Sequence, residues 1–395
     1  MIWLAFAAAV LALFGLVQAV LGWLLAARFR AAARPVPTTR PPVSLLKPLH
    51  GDEPLLEQAL GSLCQQNGYP CQIVFGVQDP EDAALAVVER VRARFPDADI
   101  AVVVDPTQHG PNRKVGNLIN MLPAAKHDVL AIADSDLHVV PDYLERLVAA
   151  LERPGTGLVT TLYAGLPATP GLSGALGATA ITHYFLPGAL LARGMGRQDC
   201  LGATMMLRRE TLARIGGLES LVTHLADDNA LGRLVRGLGL TVRLAAAVPA
   251  TTVPETTFAA LFRHELRWAR TVRALEPAAF AASSMQYPLV WSALALLASC
   301  GEAWALVLCA AAWAVRALAA RGIDRAMAAF QPGLAFRAPL WLLPLRELMS
   351  MAVTIASYAG QRVDWRGHTL RADGPVAAPH VLYAAAPLKW TDPLS

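Results

Sequence analysis

From Ile2 to Ala27 the chain carries no charged residue, and Gln18 is the only clearly polar side chain in the run. About 20 such residues cross a bilayer as a helix, and backbone inside hydrocarbon must satisfy its own hydrogen bonds. No Lys or Arg precedes the run, whereas Arg28, Arg30, Arg34 and Arg40 follow it. A cleaved signal peptide has a basic start and a shorter core, so residues 1–28 read as an uncleaved transmembrane anchor. By the positive-inside rule its N-terminus points outward and the chain after it is cytoplasmic.

A second apolar stretch, Gln286 to Leu318, is too long for one helix. Cys300-Gly301-Glu302 near its middle reads as a turn, which makes 285–320 a helical hairpin returning to Arg316, Arg321 and Arg325 on the cytoplasmic side. Arg346 and Glu347 interrupt a third run, Pro339 to Ala359. A charge at the bilayer centre costs roughly 2.5–3.5 kcal/mol on insertion scales, so 321–395 is expected to hold an interfacial or re-entrant segment and a cytoplasmic tail. Three crossings are expected, with four as the alternative. Hydrophobic residues make up 55% of the chain, too many for an ordinary soluble enzyme. The net charge of +4 does not point to nucleic acid, although arginines beside apolar segments suit an anionic membrane surface. Five cysteines without a Cys-x-x-Cys pair exclude an evident disulfide framework or zinc site and fit a reducing compartment.

The middle of the chain has a different pattern. After a Pro-rich linker, 29–42, short apolar runs alternate with helical patterns across 43–255. Val43 to Leu46, Ile73 to Val77, Ile100 to Val104, Val129 to Ala133 and Gly157 to Thr161 read as strands, with helices starting near Pro54 and carrying Ala84 to Arg94. Such alternation implies βαβ units and a mostly parallel sheet. Sheets of this kind bind ligands beyond the carboxyl ends of their strands, and acids stand at those ends.

Asp79 follows the second strand, and Asp134-Ser135-Asp136 follows the fourth. Two carboxylates one residue apart can share a hard divalent cation, Mg²⁺ or Mn²⁺, with substrate phosphates. Asp and Ser are equally ordinary turn formers. Asp227-Asp228 begins a helix running to Arg236. Acids there can simply complement the helix dipole, or one of them can act as a general base. Arg263-His264-Glu265-Leu266-Arg267-Trp268 lies on a helix expected to begin near Glu255, within an amphipathic region 256–284. His264, Arg267 and Trp268 share one helical face. That face could offer a guanidinium fork to a diphosphate and a ring to a sugar or lipid, or could anchor an interfacial helix. Asn112-Arg113-Lys114-Val115-Gly116-Asn117 adds a cation and a glycine where backbone could approach phosphate.

In this order, these stations resemble the ceramide glucosyltransferase family. The resemblance runs from Pro42-Val43-Ser44-Leu45-Leu46-Lys47-Pro48-Leu49 through Val77-Gln78-Asp79, Pro111 to Leu122 and Gly216-Gly217 to Trp365-Arg366. Its bacterial branch, the hopanoid-biosynthesis-associated glycosyltransferases, is the nearest likeness, through Leu46 to Gly51, Gly110 to Leu122, His224 to Asp228 and Glu265 to Thr271. The resemblance implies a GT-A-like fold (a Rossmann-like mixed sheet) in a bacterial inner membrane protein and an inverting reaction. It implies a UDP-sugar donor, with Asp79 near uracil and ribose and Lys114 and Asn117 in a donor-binding element. Asp134 would face the donor and, with Asp136, hold the metal. Asp228 would be the catalytic base, with Asp227 as a competitor, and Arg267 and Trp268 would end the family's Gln/Arg-x-x-Arg-Trp motif. His264 stands where that motif has Gln or Arg. The nearest branch implies transfer of N-acetylglucosamine from UDP-N-acetylglucosamine to a hopanoid polyol such as bacteriohopanetetrol. The wider family implies transfer of glucose from UDP-glucose to ceramide. A polyprenyl-phosphate sugar transferase, a processive synthase and a non-enzymatic membrane scaffold or transporter are the competing readings. The few crossings argue against a polymer channel, and the lack of polar spans and repeats argues against a transporter.

Overall fold

The computed structural model describes residues 1–32, 34–360, 362–365 and 368–371. Helix α1 (Ile2–Ala31) is the anchor and runs to the two arginines, Arg28 and Arg30, in its last turn. The α/β unit then supplies β1 (Val43–Pro48), α2 (Leu56–Leu63), β2 (Cys71–Val77), α3 (Ala84–Arg94), β3 (Asp99–Val104), α4 (Arg113–Met121), β4 (Val129–Ala133), β5 (Leu137–His138), α5 (Tyr143–Leu151), β6 (Thr156–Thr160) and β7 (Ala164–Pro167). It continues with α6 (Leu172–Ala180), α7 (Leu186–Gly194), β8 (Thr204–Arg208), α8 (Arg209–Arg214), α9 (Asp227–Gly237), β9 (Thr241–Leu244) and β10 (Ala250–Val253).

The main sheet has seven strands in the order β3-β2-β1-β4-β8-β6-β9. β1 to β4 are mutually parallel, β8 runs antiparallel between β4 and β6, and β9 is parallel to β6. The expected strands are all present, in a sheet more mixed than their alternation alone implies. Apolar layers cover both faces: Leu45, Phe75 and Ala131 point into one with α2, α3 and α5, and Leu46, Val74 and Ile132 into the other with α4 and α9. Burial on both faces explains why these strands read as continuous apolar runs. β5, β10 and β7 form a second, three-stranded sheet beside the carboxyl end of β4.

The helical layer follows: α10 (Phe258–Leu275), α11 (Pro277–Ser283), α12 (Pro288–Ala298), α13 (Ala303–Ala328) and α14 (Leu342–Ser357). The motif helix starts at Phe258 rather than Glu255, because the Thr257 hydroxyl caps it by accepting the Ala260 amide at 3.2 Å. The predicted turn at Cys300-Gly301 is present, with φ of 58° and 86°. α1 lies along α12 and α13. Gly15 allows the approach to α12, since a Cβ there would sit 2.9 Å from Pro288 Cδ. Three described helices are long and apolar enough to cross a membrane: Ile2–Ala31, Leu172–Gly194 and Ala303–Ala328. A fourth span arises if the bent pair Pro277–Gln286 and Pro288–Ala298, at 69°, counts as one. Leu172–Gly194, which the sequence reading leaves inside the catalytic domain, is mostly buried in protein, so its apolarity serves packing.

Two expectations change. Arg316 is not a headgroup-facing charge: it is 2% exposed and its Nε lies 3.1 Å from Glu347 Oε1. Arg346 and Glu347 do not confront lipid either. Arg346 makes two 2.6 Å bonds to the Glu265 carboxylate, while Glu347 also accepts the Leu289 amide at 2.7 Å. At 16 residues, α14 is about 24 Å long, short of a hydrocarbon core of about 30 Å. The strands Arg362–Trp365 and His368–Arg371 pair antiparallel. Arg366 and the tail beyond residue 371 lie outside the described residues.

Candidate active site

Parallel pairing brings the carboxyl ends of β1 to β4 to one edge of the sheet. β4 ends at Ala133, and the Asp134 amide turns to the Ala203 carbonyl at 3.2 Å, so Asp134 lies where the chain leaves the sheet. Helix α4 arrives at the same edge. Its N-cap, Asn112, accepts the Val115 amide at 3.1 Å and donates to the His224 carbonyl at 2.8 Å. That bond ties the start of α4 to the loop leading into α9. Lys114, in the first turn of α4, thus has Nζ 2.6 Å from Asp134 Oδ1 and 3.7 Å from Asp227 Oδ2. Burial works against the ammonium, but Asp134 and Asp227 together hold its pKa above the ordinary value. The structure therefore joins three of the predicted stations through one lysine.

Asp228, the next residue of α9, lies within the field of the same Lys114 and Asp134. Its Oδ1 accepts the Asn229 amide at 2.7 Å, and a Cβ at Gly202 would stand 2.7 Å from its Oδ2. Gly202, with φ +68°, lets the loop between Cys200 and β8 pass against the carboxylate. Burial, then the charge of Asp227, pushes the Asp228 pKa up to about 7, against the pull of the Asn229 amide and Lys114. A carboxylate in that range takes and gives up a proton near neutral pH.

Asp136 accepts the Thr251 hydroxyl, and its carbonyl accepts the Thr252 amide at 3.1 Å, so β10 fixes it from below. Burial and then the Asp134 charge raise its pKa to about 6. Lys47, fully buried in β1, donates to the Leu137 carbonyl at 3.3 Å. Desolvation lowers its pKa to about 8 against the charges of Asp136, Asp134 and Glu53. Glu53 accepts the Ser135 hydroxyl. Lys47, Glu53, Gly202 and Thr251 were not singled out in the sequence. Only Lys47 carried a signal, as a charge inside an otherwise apolar strand. Two like-charged carboxylates, one held protonated to unusually high pH, form an oxygen-only donor pair that suits a hard cation completed by phosphate oxygens. Among the described residues no group of three or more His, Cys, Asp or Glu could hold a metal on its own.

Asp79 stands on the same edge at the end of β2, with Oδ1 accepting the Glu81 amide at 2.9 Å. With β1 between them, the ends of β2 and β4 lie about 10 Å apart. Asn117 is buried, with Nδ2 donating to the Gly76 carbonyl at 2.8 Å. It braces α4 against β2 from inside, next to the cluster rather than in it. On α10, the His264 ring meets Trp268 edge-on at 4.8 Å while its Nδ1 engages Glu255. Burial alone would raise the Glu255 pKa, but the His264 bond and charge, with Arg267, bring it below the usual value. His264, Arg267 and Trp268 therefore share a face as predicted, with Trp268 partly exposed. The C-cap of α10, Glu276, accepts from Arg233 of α9 at 3.3 Å and from Arg197 at 3.1 Å. That contact ties the motif helix to the helix bearing Asp228.

A mixed sheet with paired acids at a strand end and a second acid pair opening a facing helix is a GT-A-like arrangement. A mannosyltransferase from Pyrobaculum calidifontis, solved with GDP-mannose and Mn²⁺, shares this fold at a TM-score of 0.52 and 20% identity, covering 90% of this chain and 99% of that one. The chain belongs to glycosyl transferase family 21, whose profile matches residues 6–375. A ceramide glucosyltransferase from Komagataella phaffii is 32% identical over 123 residues, 30% of this chain and 24% of the relative. Ceramide glucosyltransferase 1 from Caenorhabditis elegans is 23% identical over 256 residues, 63% of this chain and 53% of the relative. The chain thus spans between about a quarter and about half the length of these curated relatives. These matches give the family and the fold, and three described helices are long and apolar enough to cross a membrane.

Proposed function

We propose that the chain transfers a hexose from a UDP-sugar to the hydroxyl of a membrane lipid on the cytoplasmic side, with UDP-glucose and a ceramide-type acceptor as the first pair to test. One observation carries this: Lys114 gathers Asp134 and Asp227 at the sheet edge, which leaves the neighbouring Asp228 as a carboxylate poised near pH 7. Asp228 accepts the proton of the lipid hydroxyl as that oxygen attacks the anomeric carbon, and UDP departs from the opposite face. Asp134 and Asp136 would hold Mg²⁺ or Mn²⁺, whose positive charge offsets the charge building on the diphosphate. Lys114 adds an ammonium beside it, and Asp79, two strands away, is assigned to the nucleoside. Arg267 and Trp268 are assigned to the diphosphate and acceptor side, with His264 orienting Trp268.

The test is UDP release by purified protein given UDP-glucose and a short-chain N-acylsphingosine. UDP-N-acetylglucosamine with bacteriohopanetetrol forms the parallel arm that separates the two acceptor readings. Asp228→Asn should reduce transfer by roughly 10²–10⁴-fold, the usual worth of a general base, while UDP-glucose binding survives. Loss of donor binding would remove Asp228 from the base role. Release of UDP with neither lipid pair would end the reading.

A further inference from the structure

A residue that precedes proline is pushed out of the helical region, and Glu276, ahead of Pro277, ends α10 with φ −140° and ψ 66°. Both of its backbone groups are still in use. Its amide closes α10 on the Val272 carbonyl at 2.8 Å, and its carbonyl accepts the Phe280 amide of α11 at 2.8 Å. Two helices therefore fix where this carboxylate stands. One of its oxygens, Oε1, takes guanidiniums from two different segments, Arg197 at 3.1 Å and Arg233 at 3.3 Å. We propose that Glu276 is a positioning residue for the base, holding together the two walls between which the Asp228 carboxylate stands. The inference rests on the base role given to Asp228 above.

Each arginine leads to one wall. Arg197 forks onto Asp199, with Nε 2.7 Å from Oδ2 and Nη2 3.2 Å from Oδ1. Asp199 stands three residues before Gly202, the glycine that passes against Asp228 Oδ2. Arg233 donates through Nε to Asn229 Oδ1 at 2.9 Å, and the Asn229 amide is the donor that meets Asp228 Oδ1. Each oxygen of the base is thus bordered by a segment that Glu276 holds. Other ties between loop and helix lie farther along α9. Arg236 donates to the Gln198 carbonyl, and a Cβ at Gly232 would stand 3.1 Å from Cys200 Cβ. Those contacts sit in the second and third turns of α9, whereas Asn229 and the base stand in its first. Charge explains why the joint is a carboxylate. Without its negative charge the two guanidiniums would face each other and drive the loop away from the helix. The four side chains keep between 23% and 36% of their surface exposed, and ion pairs that open contribute little to folding. What the network controls is geometry at the base rather than stability.

With UDP-glucose and the short-chain N-acylsphingosine, Glu276→Ala should lower kcat by roughly 10- to 100-fold, up to the cost of a misplacement of about 1 Å. The KM for UDP-glucose and the unfolding midpoint in detergent should stay in place. Glu276→Gln keeps an acceptor oxygen but not the charge, and its kcat should fall between that of Glu276→Ala and that of the unaltered enzyme. The deciding measurement is made in an Asp228→Asn background. A residue that acts by placing the base has nothing left to place there, so adding Glu276→Ala should cost less than about a further twofold. If the two losses multiply instead, Glu276 acts on something other than the base, and the inference fails while Asp228 keeps its role. An unaltered kcat in Glu276→Ala, or a loss matched by a lowered midpoint, would overturn it equally. If Asp228→Asn transfers at full rate, the base assignment itself falls and takes Glu276 with it.

Discussion

The acids at the sheet edge and the charged residues of the helical layer are both removed from water, and the fold treats them differently. In the helical layer buried charges meet opposite ones: Arg346 with Glu265, Arg316 with Glu347, Asp324 with Arg321. At the sheet edge four carboxylates, Asp134, Asp136, Asp227 and Asp228, crowd two lysines, and burial above all raises Asp136 and Asp228 and lowers Lys47. Pairing fixes architecture, whereas unbalanced charge is held ready for a ligand that completes it.

Breaking a pair in the helical layer should give the largest effect. Glu347→Gln strands Arg316 in a buried site and should cost about 3–5 kcal/mol, read as a lowered unfolding midpoint in detergent. At the edge the pattern should reverse. Asp136→Asn, or removal of divalent ions by chelation, should lower transfer by roughly 100-fold with little change in that midpoint, and added Mn²⁺ or Mg²⁺ should restore the chelated enzyme. A stability loss at Asp136 equal to that at Glu347 would erase the distinction between the regions.

Acidity sharpens the contrast further. The folded pKa of Asp228 is raised to about 7, so the base is protonated below that value and free above it. Transfer should fall about tenfold per unit as pH drops below roughly 7, and flatten above it. A rate independent of pH between 5 and 8 would place the proton elsewhere. The smallest effect belongs to the surface. Lys126 bonds Asp99 at 2.8 Å with both side chains well exposed, so Lys126→Ala should change stability by only about 0–1 kcal/mol and leave transfer unaltered.

The edge was far more legible in the sequence than the helical layer. Val129 to Ala133 is bounded sharply by Asp134-Ser135-Asp136, so strand and site announce each other. Ala84 to Arg94 matches α3 at both ends. β8 and β10 escaped notice, because short strands that pair with distant segments carry little local pattern. Gly202 looked like any loop glycine until α9 packed beside it. In the helical layer, Glu265 and Arg346 are 81 residues apart, and no periodicity announces such a pair. Arg316 was misread for the same reason: a charge at the end of an apolar run looks like a headgroup contact until Glu347 comes into place.

The Glu265–Arg346 fork also sets an order of events in the cell. The ribosome emits α10 with its Arg-Trp motif long before it emits α14, so the motif helix lacks its clamp while the anchor and hairpin are already entering the bilayer. The fork therefore closes only after α14 has been made and docked against α10.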